Sequence, residues 1–381
     1  MKTYMIGISL FLLIPSSGQA QWVEANGLAK SNIMCFGALG DNLFVSGAFG
    51  GQRWVYRSID DGTSWQSANT GLTGSLIWQF ADIGSYIFAA MSGNGGRFGV
   101  FRSTDSGTSW QMVNTGLPEG SVECIAVVGT NIFAVDQGAV GGEVYLSTDS
   151  GANWTKASTG LSDTEANNFD IQCLAVSGAS VFAGVSIDDG GGVYLTTNNG
   201  TSWSEAGNRL ATTSFRTIIA SGENLFASDH IFGNAYLSTD NGTTWITVDS
   251  GLPTDPGISC FAVNGTNVFA GTSHGVFLST NNGATWATVD SGLTDTNVYA
   301  LEVFGTDLFA GTDSGVWRRP LSDFATSAVS STATIENSLT CFPNPLAQCC
   351  LKPRKRSFKL PSSHSWNSSK RSPAALSGWK P

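Results

Sequence analysis

Ser103-Thr104-Asp105-Ser106-Gly107-Thr108-Ser109-Trp110 is one of six copies of a single pattern: a hydroxyl residue, then Asp or Asn two positions on, Gly at four and Trp at seven. Asp105, Gly107 and Trp110 recur as Asp60, Gly62 and Trp65, as Asp149, Gly151 and Trp154, and as Asn198, Gly200 and Trp203. The last two copies hold Asp240, Gly242 and Trp245, then Asn281, Gly283 and Trp286. Successive Trp residues lie 41 to 49 positions apart. Alternating with these copies are seven short apolar segments centred on Phe44, Phe88, Phe133, Phe182, Phe226, Phe269 and Phe309, most reading apolar-Phe-Ala. A period of this length decides the architecture before any single residue does.

One unit, residues 171–207, divides into four short β-rich runs separated by Gly, Asn and Ser turns: Ile171 to Val176, Ser180 to Val185, Gly192 to Thr196 and Trp203 to Gly207. Four short strands per unit is the makeup of a propeller blade. Such units cannot bury both faces alone and must stack around an axis. Seven first strands can be counted, but the seventh unit ends after its third strand near Arg319. Residues 22–28, beginning Trp22-Val23-Glu24-Ala25, read like the fourth strand that follows Trp65. The expectation is an all-β, seven-bladed propeller of four-stranded blades over residues 21–322, closed by the N-terminal strand so that no edge is left between the chain ends.

The six copies resemble the Asp-box (BNR) repeat of sialidases, some endoglucanases, sortilin-type receptors and photosystem assembly factors. The pattern falls on the turn between the third and fourth strands, where a side-chain oxygen can accept from turn amides, Gly supplies a positive φ, and Trp can bury its ring between blades. All eighteen Asp/Asn, Gly and Trp positions therefore read as fold determinants. Two copies carry Asn, which keeps the hydrogen bonds and loses the charge.

The sequence has 381 residues, 41% hydrophobic and 13% charged, with 46 Gly. Of its 19 Lys/Arg, eight lie in residues 342–381, where there is no Asp or Glu, so the first 341 residues set 11 cations against 29 acids. So acidic a body excludes a phosphate-reading surface, and no nucleic-acid partner is expected. Cys35, Cys124, Cys173 and Cys260 share one slot with Gln79, Thr217 and Ala300 of the other units. They read as small core residues with free thiols rather than a disulfide framework.

Because strands alternate in direction, the repeated turns share one end of the disc and the variable connections share the other, where a ligand is expected near the axis. Candidate binding residues there are Arg53, Arg97, Arg216, Trp54 and Trp78. The sialidase resemblance implies an Arg triad with a Tyr/Glu nucleophile pair and an acid; the three Arg fall on this end, but no Tyr accompanies them and sialidase rings have six blades. Glycoside hydrolysis requires two facing carboxylates; the candidates are Glu123, Asp170 and Asp189, with Glu119, Asp163, Glu165, Asp188 and Asp255 also on that end. Arg57, Arg102 and Arg318 occupy a slot that is Leu in other units, which makes them surface or inter-blade residues. His230 and His274 are related by the repeat alone, so no metal and no cofactor is expected.

Residues 1–20 read as a signal peptide ending in Gly18-Gln19-Ala20, and no later run approaches a transmembrane length. Residues 323–339 are a Ser/Thr/Ala linker. Phe342-Pro343-Asn344-Pro345 resembles the opening of the C-terminal sorting domain of type IX (Por) secretion, which implies the secretion machinery as a partner and a secreted or cell-surface location. Residues 346–381 depart from that domain, being basic and rich in Ser and Pro. A reading-frame shift just after the motif, which would leave the product periplasmic, and a basic tail that holds an anionic surface are the two readings. The functional expectation is a non-catalytic platform for a protein or glycan, the alternative a glycoside hydrolase.

Overall fold

The computed structural model describes residues 21–324 except Asn26, 50–51, 73–75, 93–97, 138–141, 162–169, 188–189, 208–214, 230–232 and 255–256. The expectations for the signal peptide, linker and sorting motif lie outside the described residues.

Seven four-stranded antiparallel sheets form seven blades, and the first strands of successive blades adjoin all the way round, the seventh against the first. Blade 1 is Ser31–Leu39, Asn42–Phe49, Gln52–Ser58 and Gln66–Ser67 from the axis outward. Blade 7 takes Val298–Phe304, Asp307–Thr312 and Gly315–Pro320 from the end of the fold and its outer strand, Val23–Glu24, from the start. Val23 faces Arg318 and Glu24 faces Trp317, so the ring closes as the sequence predicts.

Between blades the contact is directional. Each repeated-turn Gly lies against the Phe of the preceding blade: a Cβ on Gly62 would meet Phe309, on Gly107 Phe44, on Gly151 Phe88, and on Gly283 Phe226. These four Phe are fully buried, as are their counterparts Phe133, Phe182 and Phe269 in the other blades. The Trp then reaches back to the same neighbour. Trp110 donates its amide to the Thr70 carbonyl (2.8 Å) and its indole Nε1 to the Ala68 carbonyl (2.9 Å). Trp154, Trp203 and Trp286 repeat both bonds. Trp22 repeats them too, to Ser291 (2.9 Å) and Val289 (2.7 Å), so the first residues of the fold serve blade 7 as its missing Trp. Blade 7 has no repeated turn, and Phe324 of the 3₁₀ turn Leu321–Phe324 takes its place, stacking edge-on against Phe269 at 4.9 Å. That turn carries the described fold two residues past the expected boundary at 322.

Arg57, Arg102 and Arg318 pair in register with Phe44, Phe88 and Phe309 and are inter-blade clamps. Each donates to a carbonyl in the next blade's turn: Arg57 to Ser106 (2.5 Å), Arg102 to Ser150 (2.8 Å), Arg318 to Asp61 (3.1 Å). Cys35, Cys124, Cys173 and Cys260 are buried free thiols. Opposite Cys35, Cys173 and Cys260 stand the small residues Ser46, Gly184 and Gly271, which leave room for the sulfur, and opposite Cys124 stands Val135.

Within the turn, Asp60 accepts from the Ser64 amide and hydroxyl (2.8 and 2.6 Å) and from the Ser58 hydroxyl, which itself accepts from the Gly62 amide. Asn198 keeps the amide bond to Ser202 (3.0 Å) but donates to its hydroxyl through Nδ2 (2.9 Å). The hydroxyl and amide donors of Ser64 and Ser109 hold Asp60 and Asp105 at about 2. Asp149 and Asp240 are lowered by the same kind of bonds, from Asn153 and Thr244. A carboxyl depressed on folding contributes stability above its unfolded value, near 4, and loses it as pH falls toward 2. The expected result is a melting temperature that declines between about pH 4 and pH 2. The combined D60N, D105N, D149N and D240N variant should flatten that decline, and an unchanged acid limb would refute the assignment.

Candidate functional site

Six of the seven first strands slip register at one point. The pairing skips a residue between Ile33 and Cys35, Ile77 and Gln79, Val122 and Cys124, Ile171 and Cys173, Phe215 and Thr217, and Val298 and Ala300. In blade 6 the same slot is Ser259, whose amide donates to the Gly271 carbonyl (2.7 Å), the residue opposite Cys260. A bulge inserts a residue that the partner strand does not match and re-aims its side chain. The re-aimed residues are Met34, Trp78, Glu123, Gln172, Arg216, Ser259 and Tyr299. Each preceding residue is apolar and at most 1% exposed, whereas the bulge residues run from 7% to half-buried. One residue per blade thus stands off the packed faces at the axial end of the variable connections, and it differs in type in every blade.

Three adjacent blades make an apolar arc. Tyr299 of blade 7 is fixed by Asn297 Nδ2, which donates to its hydroxyl (2.6 Å), and it donates to Asp313 (3.2 Å). Asp313 also accepts from Asn32 (2.6 Å) and Asn297 (2.8 Å), tying blade 7 to blade 1. Met34, Leu76 and Trp78 form one cluster across blades 1 and 2, and the Trp78 indole donates to the Ser92 hydroxyl. Blades 3 to 6 supply the polar arc. Gln172 donates to Asp170 Oδ2, and burial raises the Asp170 carboxyl above its usual range. Arg216 is half-buried, and its Nε has no acceptor.

The candidates of the sequence reading fall out unevenly. Trp78, Glu123 and Arg216 share the bulge ring, and Asp170 stands two residues before Gln172 on it. Arg53 is exposed and Trp54 half-buried on the third strand of blade 1, opposite Ala48 and Gly47. They join no ring residue in a described contact. Arg97 and Asp189 lie outside the described residues. Met34, Gln172, Ser259 and Tyr299 were missed. The signal was present as a position of changing type between an apolar residue and a small one in every unit.

This geometry defines the class of protein: a seven-bladed β-propeller with a diversified axial mouth. No family model matches the chain, and no curated protein sequence matches it. Solved structures do. YCF48 bound to D1 peptide is similar at a TM-score of 0.60 and 17% identity, covering 80% of this chain and 97% of that one. YCF48 from Cyanidioschyzon merolae gives 0.59 and 16%, covering 80% and 100%. The extracellular domain of the one-component system protein BT4673 from B. thetaiotaomicron gives 0.61 and 13%, covering 84% of this chain and 41% of that one. At these identities the likeness shows the fold.

Proposed function

We propose that this chain is a secreted or cell-surface, non-catalytic propeller that presents its axial mouth and variable connections as a platform for a protein or glycan partner. The observation that supports it most is the contrast between the two ends. One end repeats a single turn with the same hydrogen bonds in blade after blade, as stability requires. At the other end, the six bulge positions and the equivalent slot of blade 6 hold seven different residue types. YCF48, which shares the fold, is described in complex with a D1 peptide, so a propeller of this form can hold a polypeptide segment. The resemblance of the repeated turns to the Asp-box, and of residues 342–345 to the type IX sorting motif, supports an exported role.

The test is binding of the purified chain to a glycan array and to cell-surface protein extracts, with hydrolysis monitored on every glycan that binds. Saturable binding without turnover is the expected outcome. Turnover that disappears in E123Q or D170N would replace the platform with a glycoside hydrolase, for which Asp170, protonated more readily than an exposed carboxyl, supplies the acid.

A further inference from the structure

Arg216 is the one guanidinium placed in the bulge ring. Its Nε is buried without an acceptor, and among the described residues no carboxylate pairs with it. The titratable groups that act on it are the Cys260 thiol and the Tyr299 phenol, both pushed up by burial and uncharged at neutral pH. Burial also lowers the Arg216 pKa, the signature of a cation that has lost water and gained no counter-charge. Arg102 and Arg319 also leave Nε without an acceptor, but each donates a terminal N–H to a carbonyl, as Arg57 does, whereas no such bond is described for Arg216. A half-buried guanidinium with open donors is costly unless a ligand completes it.

Around the ring, the blade of Arg216 lies across the axis from Met34 and Trp78 of blades 1 and 2, with Tyr299 of blade 7 two blades from it. Asp229 of the same blade is buried and occupied by Gly233, Asn234 and Tyr236, while Asp170 lies one blade away and Glu123 two. The mouth is therefore two-sided: a polar arc whose one cation is Arg216 and which also carries Glu123, and an apolar arc that carries Trp78.

We infer that the axial mouth binds a carboxylate carried on an apolar or aromatic body, the carboxylate on Arg216 and the body against the Trp78 side. This deepens the platform reading and rests on it for the choice of face. A guanidinium matches a carboxylate with two parallel N–H donors, and an aromatic arc opposite selects what the carboxylate is attached to. The group can be the end of a polypeptide closing in a bulky residue, or a free aromatic acid.

Calorimetric titration of the whole chain with N-acetyl-phenylalanine, its carboxamide and 3-phenylpropanoate tests this. Both acids should bind saturably and the carboxamide should not; tighter binding of the N-acetylated acid would identify a peptide end as the source, and tighter binding of phenylpropanoate a free acid. R216Q should weaken the acids about tenfold or more, and R216K by less. Equal binding of acid and carboxamide, or no saturation by about 10 mM acid, would overturn the proposal even if R216Q fails to fold. So would a folded R216Q that binds as the native protein does. Surface partners that bind while these acids do not would sink this inference and leave the platform standing; a hydrolysed glycan would sink the platform and this inference with it, whatever the acids do.

Discussion

Trp22→Ala will lower the melting temperature by roughly 10 °C, more than the same change at any other blade-edge Trp. The side chain is 3% exposed, and its indole and amide both donate across the seam to the end of blade 6, on Val289 and Ser291. Truncating a buried Trp costs about 3–5 kcal/mol, and each kcal/mol corresponds to about 2–4 °C in a domain of some 200 residues. Here the loss also falls on the seam where the chain ends meet, so the outer strand Val23–Glu24 loses its anchor. Trp245 is the control. It is half-buried with an Nε1 that has no acceptor, and Trp245→Ala should lower the melting temperature by about half as much. Scanning calorimetry of the two variants decides it, and equal losses would show that the seam has no special weight.

Gly107→Ala will be among the most damaging single methyls in the protein. Gly107 has φ +79, and an added Cβ would sit 2.2 Å from Phe44 Cε1 and 2.7 Å from Cζ, inside a fully buried contact. Left-handed backbone costs a non-glycine residue about 1–2 kcal/mol, and overpacking a core adds about 1–3. Gly40 isolates the first effect, because at φ +60 its Cβ would meet nothing within 4 Å. Urea unfolding should therefore give about 2–5 kcal/mol for Gly107→Ala against about 1–2 for Gly40→Ala. Adding Phe44→Leu to Gly107→Ala should cost less than the sum of the two changes, since they share one contact. Full additivity would mean that the ring of Phe44 is not what the methyl strikes.

Most of the architecture was legible because every unit repeats the same chemistry. A Gly that must turn and a Trp that must reach back are demanding positions, and Trp22 could be matched to blade 7 from seven residues alone. The axial mouth was legible only in part, for the opposite reason. Trp78, Glu123 and Arg216 were singled out as loop residues of interest, yet nothing in their types marks them as equivalent, because the bulge constrains where the side chain goes and leaves its identity free. Phe324 was missed because it replaces the repeated turn in space without resembling it in sequence. Asp170 shows a further limit: burial raises its carboxyl above the usual range in spite of the hydrogen bond from Gln172, and no spacing of acids along the chain reveals burial.

Wherever they occur, the Gly-on-Phe contact and the backward reach of Trp run from one blade to the one before it, so a blade has a giving side and a receiving side. Head-to-tail contacts of this kind contain no instruction about number; they close when the rotation per unit divides a full turn. Copying or deleting one unit would leave every such contact with a partner of the right shape and alter only the diameter of the opening. The count of seven is therefore held by the small tilt each blade imposes on the next. A lineage that gains or loses a blade would change the size of what its mouth admits without having to invent a new interface.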